Sequence, residues 1–362
     1  MKLRHGYVVA ILSGAPLSAF VAVEPQTNRR GAYVNAVPPA AEVTDAGRSS
    51  SRNRNHGPAA GGRGHDPAAW CGDIRVLYED ERLLAIDKPA GVAHHDDVGD
   101  VDGGVGGAPG ILSLYRRYQE AAGDGVANPP GGRIVGSAYA GRIYGTHRLD
   151  RATTGVLLLA KDAEAAGLVS RAFRKRSVTK YYCAVSAGKA KKKQGRVEGD
   201  MVRARRGAWK LTREKEDPAK TEYWTAGLGH MCGGGAGGST PVPRTFILFH
   251  PWTGRTHQLR VAAKSVGLPI LADAAYGGGG AAPPRRIYLH AAALHLDLVA
   301  AGLAAGAREK YLTVCSPPPF DDLWDGDDTD GDNICRPVLR RLLEKSGAAS
   351  AVLKSAGWTE ER

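Results

Sequence analysis

Apolar residues alternate with polar ones at Ile74, Val76 and Tyr78, stop at Glu79-Asp80-Glu81, and resume as a short apolar run over 83–86. Period-two alternation, a turn and a second run predict two strands. Lys88-Pro89-Ala90-Gly91 follows as a breaker. Residues 111–122 predict a short helix closed by Gly123, and 155–160 a buried strand. Asp162 is a good N-cap, with Glu164 in the first turn. Leu168, Val169, Ala172 and Phe173 continue that segment at helical spacing. Arg171, Arg174, Lys175 and Arg176 gather near its end, where positive charge complements the macrodipole. Further strands are predicted at 179–185, 245–249 and 311–314, with an apolar segment at 287–298. A helix over 257–266 has Leu259, Ala263 and Val266 on one face, with Gly267 as its stop. No regular βαβ repeat emerges, so the pattern predicts an α+β fold with a mixed or antiparallel sheet.

Outside these elements the chain changes character. Lys2 and Arg4 precede an apolar run over 7–23 broken by Ser13, Gly14, Pro16 and Ser18, which fits a signal peptide better than a spanning helix. Residues 24–66 lack periodicity and are expected to be unfolded. Glycine-rich stretches at 97–110 and 231–238 read as insertions. The expected organisation is a presequence-like segment over 1–69, a folded body over 70–320, and an acidic segment with a C-terminal helix or tail over 321–362. The seven aspartates of 321–332 lack EF-hand spacing and read as a solvated run.

Charge narrows the partner. The net charge of +12 points to an anion, nucleic acid first and an anionic membrane surface second. Residues 189–220 hold twelve Lys/Arg against five Asp/Glu. The five cysteines are odd in number and show no C-x-x-C pair, which argues against a disulfide framework and a structural zinc site. The doublets His94/His95 and His290/His295 do not make a metal pair at helical spacing. The glycines of 103–110 follow no strand and lack the ending of a phosphate-binding loop, and no G-x-S-x-G hydrolase elbow occurs.

Two stretches carry the candidate chemistry. In HRLDRATTG (147–155), Asp150 lies between Arg148 and Arg151 just before a buried strand. Guanidinium groups favour the charged form of a carboxylate, which can then act as nucleophile or base. From local composition alone a surface salt bridge is the commoner explanation. In HPWTGRTHQLRV (250–261) a strand end turns into a helix. Thr256 is expected to cap that helix and its first amides to receive a phosphate, with Arg255, His257 and Arg260 adding contacts to a polyanion.

These two stretches, with KYYCAV (180–185) and GLPILADAAYG (267–277), resemble the RluA-type pseudouridine synthases. YEDERLLAIDKPAGVAHH (78–95), LHAAALHL (289–296) and EKYLTVCSPPPF (309–320) extend the resemblance over roughly residues 73–320 in family order. It implies an α+β catalytic fold with a central mixed, largely antiparallel sheet, and isomerisation of uridine to pseudouridine in RNA without cofactor or metal. Asp150 matches the family's catalytic aspartate. Tyr182 matches the tyrosine that packs on the target base and is often assigned proton transfer. Arg260 matches the arginine paired with that aspartate. Arg148, Arg151, Arg255, His257 and Gln258 are expected to bind substrate.

The sequence departs from the family at Ala152, Thr154, Ala262 and Ala272, where Asp, Ser, His and Gly are common. Many relatives carry an N-terminal S4 RNA-binding domain, for which the presequence-like segment leaves no room. RNA affinity is therefore expected from the catalytic domain and the basic stretch. The expected partner is ribosomal or transfer RNA, with no membrane in the mature form, and the protein is expected to be a monomer. Residues 15–21 resemble the cleavage motif of complex-plastid presequences, so the expected location is an organelle, plastid first, with mitochondrion or cytoplasm otherwise. A non-catalytic RNA-binding or ribosome-assembly protein on the same fold is the alternative function.

Overall fold

The computed structural model describes residues 74–96, 109–123, 134–137, 139–231, 242–278, 286–304, 309–320, 332–348 and 350–355. The presequence-like segment, the glycines of 97–108 and the aspartates of 321–331 lie outside them. No helix among the described residues is long and apolar enough to cross a membrane.

The first two predicted strands form an antiparallel hairpin, β1 (Ile74–Glu79) and β2 (Leu83–Lys88). Its turn is held by Asp80, whose carboxylate accepts the amides of Arg82 and Leu83 at 2.8 and 2.6 Å. Helix α1 (Ile111–Gly123) covers this end of the sheet with Ile111, Tyr115 and Tyr118. Short strands β3 (Ile134–Val135) and β4 (Tyr144–Gly145) precede β5 (Thr154–Ala160), every residue of which is buried. Helix α2 (Ala163–Arg174) begins at Asp162, which accepts the Ala165 amide at 2.7 Å, as the cap pattern predicts.

Strands β6 (Val178–Ala187), β10 (Ala219–Met231), β11 (Val242–Pro251) and β12 (Leu289–Asp297) complete the centre. Strand β7 (Gln194–Gly199) pairs with β10 at one end, and β13 (Tyr311–Cys315) pairs with β12. The strand order is β3-β1-β2-β5-β12-β6-β11-β10-β7, with β13 and β4 branching from β12 and β5. Among the described strands only β1–β3 and β5–β12 pair in parallel, so the sheet is mixed and largely antiparallel, as expected.

The β5–β12 pairing is tight. Gly155 has φ +107°, and a Cβ there would lie 2.3 Å from the Ala291 carbonyl oxygen. Glycine closes the HRLDRATTG stretch because β12 leaves no room for a side chain.

The basic stretch is folded. Besides β7 it forms a separate hairpin, β8 (Met201–Arg203) and β9 (Trp209–Leu211), joined by a 3₁₀ turn over Arg205–Gly207. The folded body also runs past residue 320. Helix α3 (Gln258–Ser265) follows β11, and the short helix α4 (Leu298–Ala301) follows β12. Helices α5 (Asp332–Lys345) and α6 (Ser350–Ser355) then bury Cys335, Leu339, Leu342, Leu343 and Val352 in the same core as Phe246 and Leu248.

Candidate active site

Asp150 sits in the loop between β4 and β5, and that loop is fixed from both sides. On one side His147 Nε2 accepts the Leu158 amide at 2.9 Å while its ring stacks on Phe173. This imidazole must keep a lone pair on Nε2, and burial pushes its pKa down to about 3. On the other side the fully buried Lys88 donates to the carbonyls of Pro89, Val92 and Arg151 at 2.8, 2.8 and 3.2 Å. The Gly91 amide donates to the same Arg151 carbonyl at 2.9 Å. The breaker after β2 is thus a clamp on the Asp150 loop, a role the sequence pattern does not reveal. Asp150 itself closes a turn, its carbonyl accepting the Thr153 amide at 3.0 Å.

The second wall comes from the turn between β11 and α3. Thr256 does not cap this helix. His257 is the N-cap, in the left-handed region at φ 58°, without a side-chain capping bond. The left-handed turn instead places His257 Nε2 3.9 Å from Asp150 Oδ2 and Nδ1 2.8 Å from the Tyr276 hydroxyl. The first helical amide, that of Gln258, already donates to the Arg255 carbonyl, so it does not await a phosphate. Gln258 is also occupied through its side chain. Its Oε1 accepts from Thr253 and the Arg255 amide, and its Nε2 donates to the Lys220 carbonyl and Thr221. It lines the cleft as the strut between the turn and β10.

Arg260 projects from α3. Its Nη1 lies 3.6 Å from Asp150 Oδ2, while Nε and Nη2 donate to Asp273 at 2.7 and 2.8 Å. Asp273 is 1% exposed. Sequence reasoning missed it, although the strained Ala272 before it, at φ 64°, marks a turn that favours glycine. Tyr182, on β6, faces the same cleft. Burial, reinforced by the Asp150 charge, raises its pKa and keeps the phenol protonated.

The cleft therefore brings together Asp150, Tyr182 and Arg260, with Arg148, Arg255, His257 and Gln258 around them. Arg255 is exposed and ion-paired with Asp217. Arg151 lies on an adjoining cavity that shares Asp150 and Arg260 and adds His94 and His95. Lys180 also lines the main cleft, a position to which the sequence pattern assigns no role.

Residues 82–265, half of the chain, match the family model for RNA pseudouridylate synthase. The chain belongs to the RluA-type RNA pseudouridine synthases. It is 36% identical over 225 residues to an uncharacterized RNA pseudouridine synthase of Haemophilus influenzae, covering 62% of this chain and 83% of that protein. It is 31% identical over 269 residues to the ribosomal large subunit pseudouridine synthase D of Pseudomonas aeruginosa, covering 70% of each. Among solved structures, human RNA pseudouridylate synthase domain containing 1 aligns at 24% identity and a TM-score of 0.46, covering 68% of this chain and 84% of that one.

The departures from the RluA-type pattern have local accounts in this synthase. Thr154 keeps a hydroxyl where serine is common, and it meets His290 Nδ1 at 2.9 Å. His290 Nε2 reaches the Ser316 carbonyl at 3.0 Å, so this histidine ties β5 to the segment after β13. Ala262 is buried in the core on α3. Ala152 packs at the edge of the same core.

Proposed function

We propose that this synthase isomerises uridine in RNA with Asp150 as the attacking carboxylate. The observation that carries the reading is the meeting, in one cleft, of a guanidinium-oriented carboxylate and a neutral aromatic ring. Arg260 aims the Asp150 carboxylate. Tyr182 offers a flat face to a flipped uracil and a protonated hydroxyl beside it. The N1–C1′ bond breaks, the base turns, and C5 bonds to C1′. The C5 proton leaves and N1 gains one, so the product is an isomer and no group is imported.

Extruding the target from its stack costs about a few kcal/mol, which favours unpaired uridines. We assign Arg148, Arg151 and Arg255, which line the cleft and its adjoining cavity, to the flanking RNA backbone. The substrate we infer is ribosomal RNA, following the printed name of the Pseudomonas relative, with transfer RNA as the other class. We also infer that it acts as a monomer. The basic start, apolar run and Ala-Phe step near residue 20 support import into an organelle, plastid first.

The test is to incubate the purified protein with unmodified transcripts of organellar and cytosolic ribosomal and transfer RNAs, and to map pseudouridine afterwards. Discrete new pseudouridines are expected. Their absence from every transcript contradicts the reading.

A further inference from the structure

Lys180 lies two residues before Tyr182 on β6, so both side chains leave the same face of the strand, about 7 Å apart along it. Both line the cleft that holds Asp150. The Lys180 ammonium makes no hydrogen bond or ion pair with any described residue. Its neighbour is the Phe173 ring, whose centroid lies 5.7 Å from Nζ. The charged and titratable groups around it are His147, Arg148 and Asp150 from the loop before β5, His250 from β11, Arg255 and His257 from the following turn, and Arg260 from α3. Asp150 is the one carboxylate among the described cleft-lining residues, and Arg260 already faces it. Lys180 is therefore a half-buried cation without a counter-ion.

An uncompensated cation in a partly desolvated wall costs stability. Burial also draws the Lys180 pKa down to about 8. The reaction provides the missing negative charge. If Asp150 attacks C6, the electron pair of the C5–C6 double bond moves through C4 onto O4. If Asp150 attacks C1′, the N1–C1′ pair departs with the base and spreads over N1, O2 and O4. Both routes leave transient negative charge on the uracil carbonyls, and the later C5–C1′ bond draws that charge back.

We propose that Lys180 is a catalytic residue that donates a hydrogen bond to a uracil carbonyl and stabilises the base as it becomes anionic. It holds its proton throughout, so it adds nothing to the overall balance. A fixed donor aimed at developing charge acts on the transition state more than on bound substrate. This assignment rests on the proposed isomerase reading and adds to it a residue for the charge that Asp150 creates.

The test compares wild type, Lys180→Met and Lys180→Arg on a transcript that wild type modifies, carrying tritium at uracil C5. Single-turnover tritium release, equilibrium affinity at several salt concentrations, and the rate between about pH 6.5 and 9.5 are measured. Lys180→Met is expected to slow the single-turnover rate by about 10²- to 10³-fold, as loss of one oxyanion donor does, while affinity and its salt slope stay within a few-fold of wild type. Wild type should lose rate above about pH 8 as Lys180 deprotonates. Lys180→Arg should recover much of the rate and move that alkaline limb upward, because arginine stays charged. A packing role would not produce that shift. A methionine variant at the wild-type rate overturns the proposal. So does a loss of affinity with a flatter salt slope and an unchanged rate, which would make Lys180 a phosphate ligand. An alkaline limb that stays in place in the arginine variant overturns it as well. If wild type releases no tritium from any transcript, the isomerase reading itself has failed and the Lys180 assignment with it.

Discussion

Arg260 donates Nε and Nη2 to the two carboxylate oxygens of Asp273 at 2.7 and 2.8 Å, and turns its remaining nitrogen, Nη1, toward Asp150 Oδ2 at 3.6 Å. The tight fork belongs to Asp273, and the looser approach to the residue proposed to react. Asp273 fixes the guanidinium plane and leaves one nitrogen to follow Asp150. Apo distances of this length commonly tighten when substrate binds. The Arg260 guanidinium, 4.8 Å from the Tyr276 ring centroid, meets a second constraint on the same plane.

Asp273→Asn should therefore loosen Arg260 and leave part of its charge unmatched. Breaking a buried pair typically costs about 3–5 kcal/mol, so a clear drop in urea stability is expected. Turnover should fall in the folded fraction while RNA affinity holds. A folded variant with wild-type turnover would remove Asp273 from the positioning role.

Ala272 holds φ 64°, a region that costs an L-residue roughly 1–2 kcal/mol. Glycine removes that strain but loses more chain entropy on folding. Ala272→Gly should raise stability by about 0.5–1 kcal/mol, read as a higher urea midpoint. An unchanged or lower midpoint would mean that the neighbouring turn already absorbs the strain.

Two buried histidines, His94 and His290, and the half-buried His147 make the fold sensitive to acid. Burial lowers His147 to about 3, and His94 and His290 to about 4. The hydrogen bonds agree for two of them, since His147 accepts an amide and His290 sits between a hydroxyl and a carbonyl. In the unfolded chain these rings titrate near about 6.5. As pH falls from there toward about 4, the unfolded chain takes up protons that the folded chain refuses, so stability declines. Urea unfolding between about pH 7.5 and 4.5 should show the decline below about pH 6.5. A flat profile would contradict neutral rings.

The β8–β9 hairpin exposes Arg203, Arg205 and Lys210 beside the cleft. Its Trp209 amide donates to the Tyr276 hydroxyl at 2.9 Å, and the same hydroxyl meets His257. Neutralising the three cations should weaken RNA binding and flatten its salt dependence, by about one log–log unit for each phosphate the variant no longer neutralises. The choice of uridine should hardly change, since phosphates carry no base identity. The same measurement on Lys191, Lys192 and Lys193, exposed just before β7, tests whether that part of the basic stretch joins in. Unchanged slopes in both triple variants would confine RNA binding to the cleft.

What was legible in the sequence was local. The Asp162 cap and the stop at Gly267 depend on neighbours within a few residues, and each appears where its pattern places it, whereas the alternation along β1 holds for Ile74 and Val76 and is broken by a bulge before Tyr78, which packs in a different core cluster. What was hidden depends on distant partners. Lys88 reads as part of a breaker because one of its three acceptors, the Arg151 carbonyl, lies 63 residues away. Asp273 and Tyr276 acquire their roles only when the turn after α3 folds back onto Arg260 and His257. Thr256 has the chemistry of a cap, but the backbone turns left-handed at His257 and places that residue at the helix start. In β7, Val197 is buried between Arg196 and Glu198, and the charges masked a strand only six residues long. The α5 residues Cys335, Leu339, Leu342 and Leu343 do fall at helical spacing, but the aspartate run before them left the region as a helix or tail beyond the folded body, and its docking on the core was not legible.

The central claim is that the Asp150 carboxylate attacks the target nucleoside. Replacing it with asparagine keeps the size and removes the charge, and none of the hydrogen bonds that Lys88 and His147 make to fix its loop uses the carboxylate. The direct measurement is tritium release from C5-labelled uridine in a transcript that wild type modifies, taken alongside RNA affinity and urea stability. The account predicts that Asp150→Asn folds, binds the transcript and releases no tritium. Release at a near-wild-type rate from the asparagine variant would contradict it.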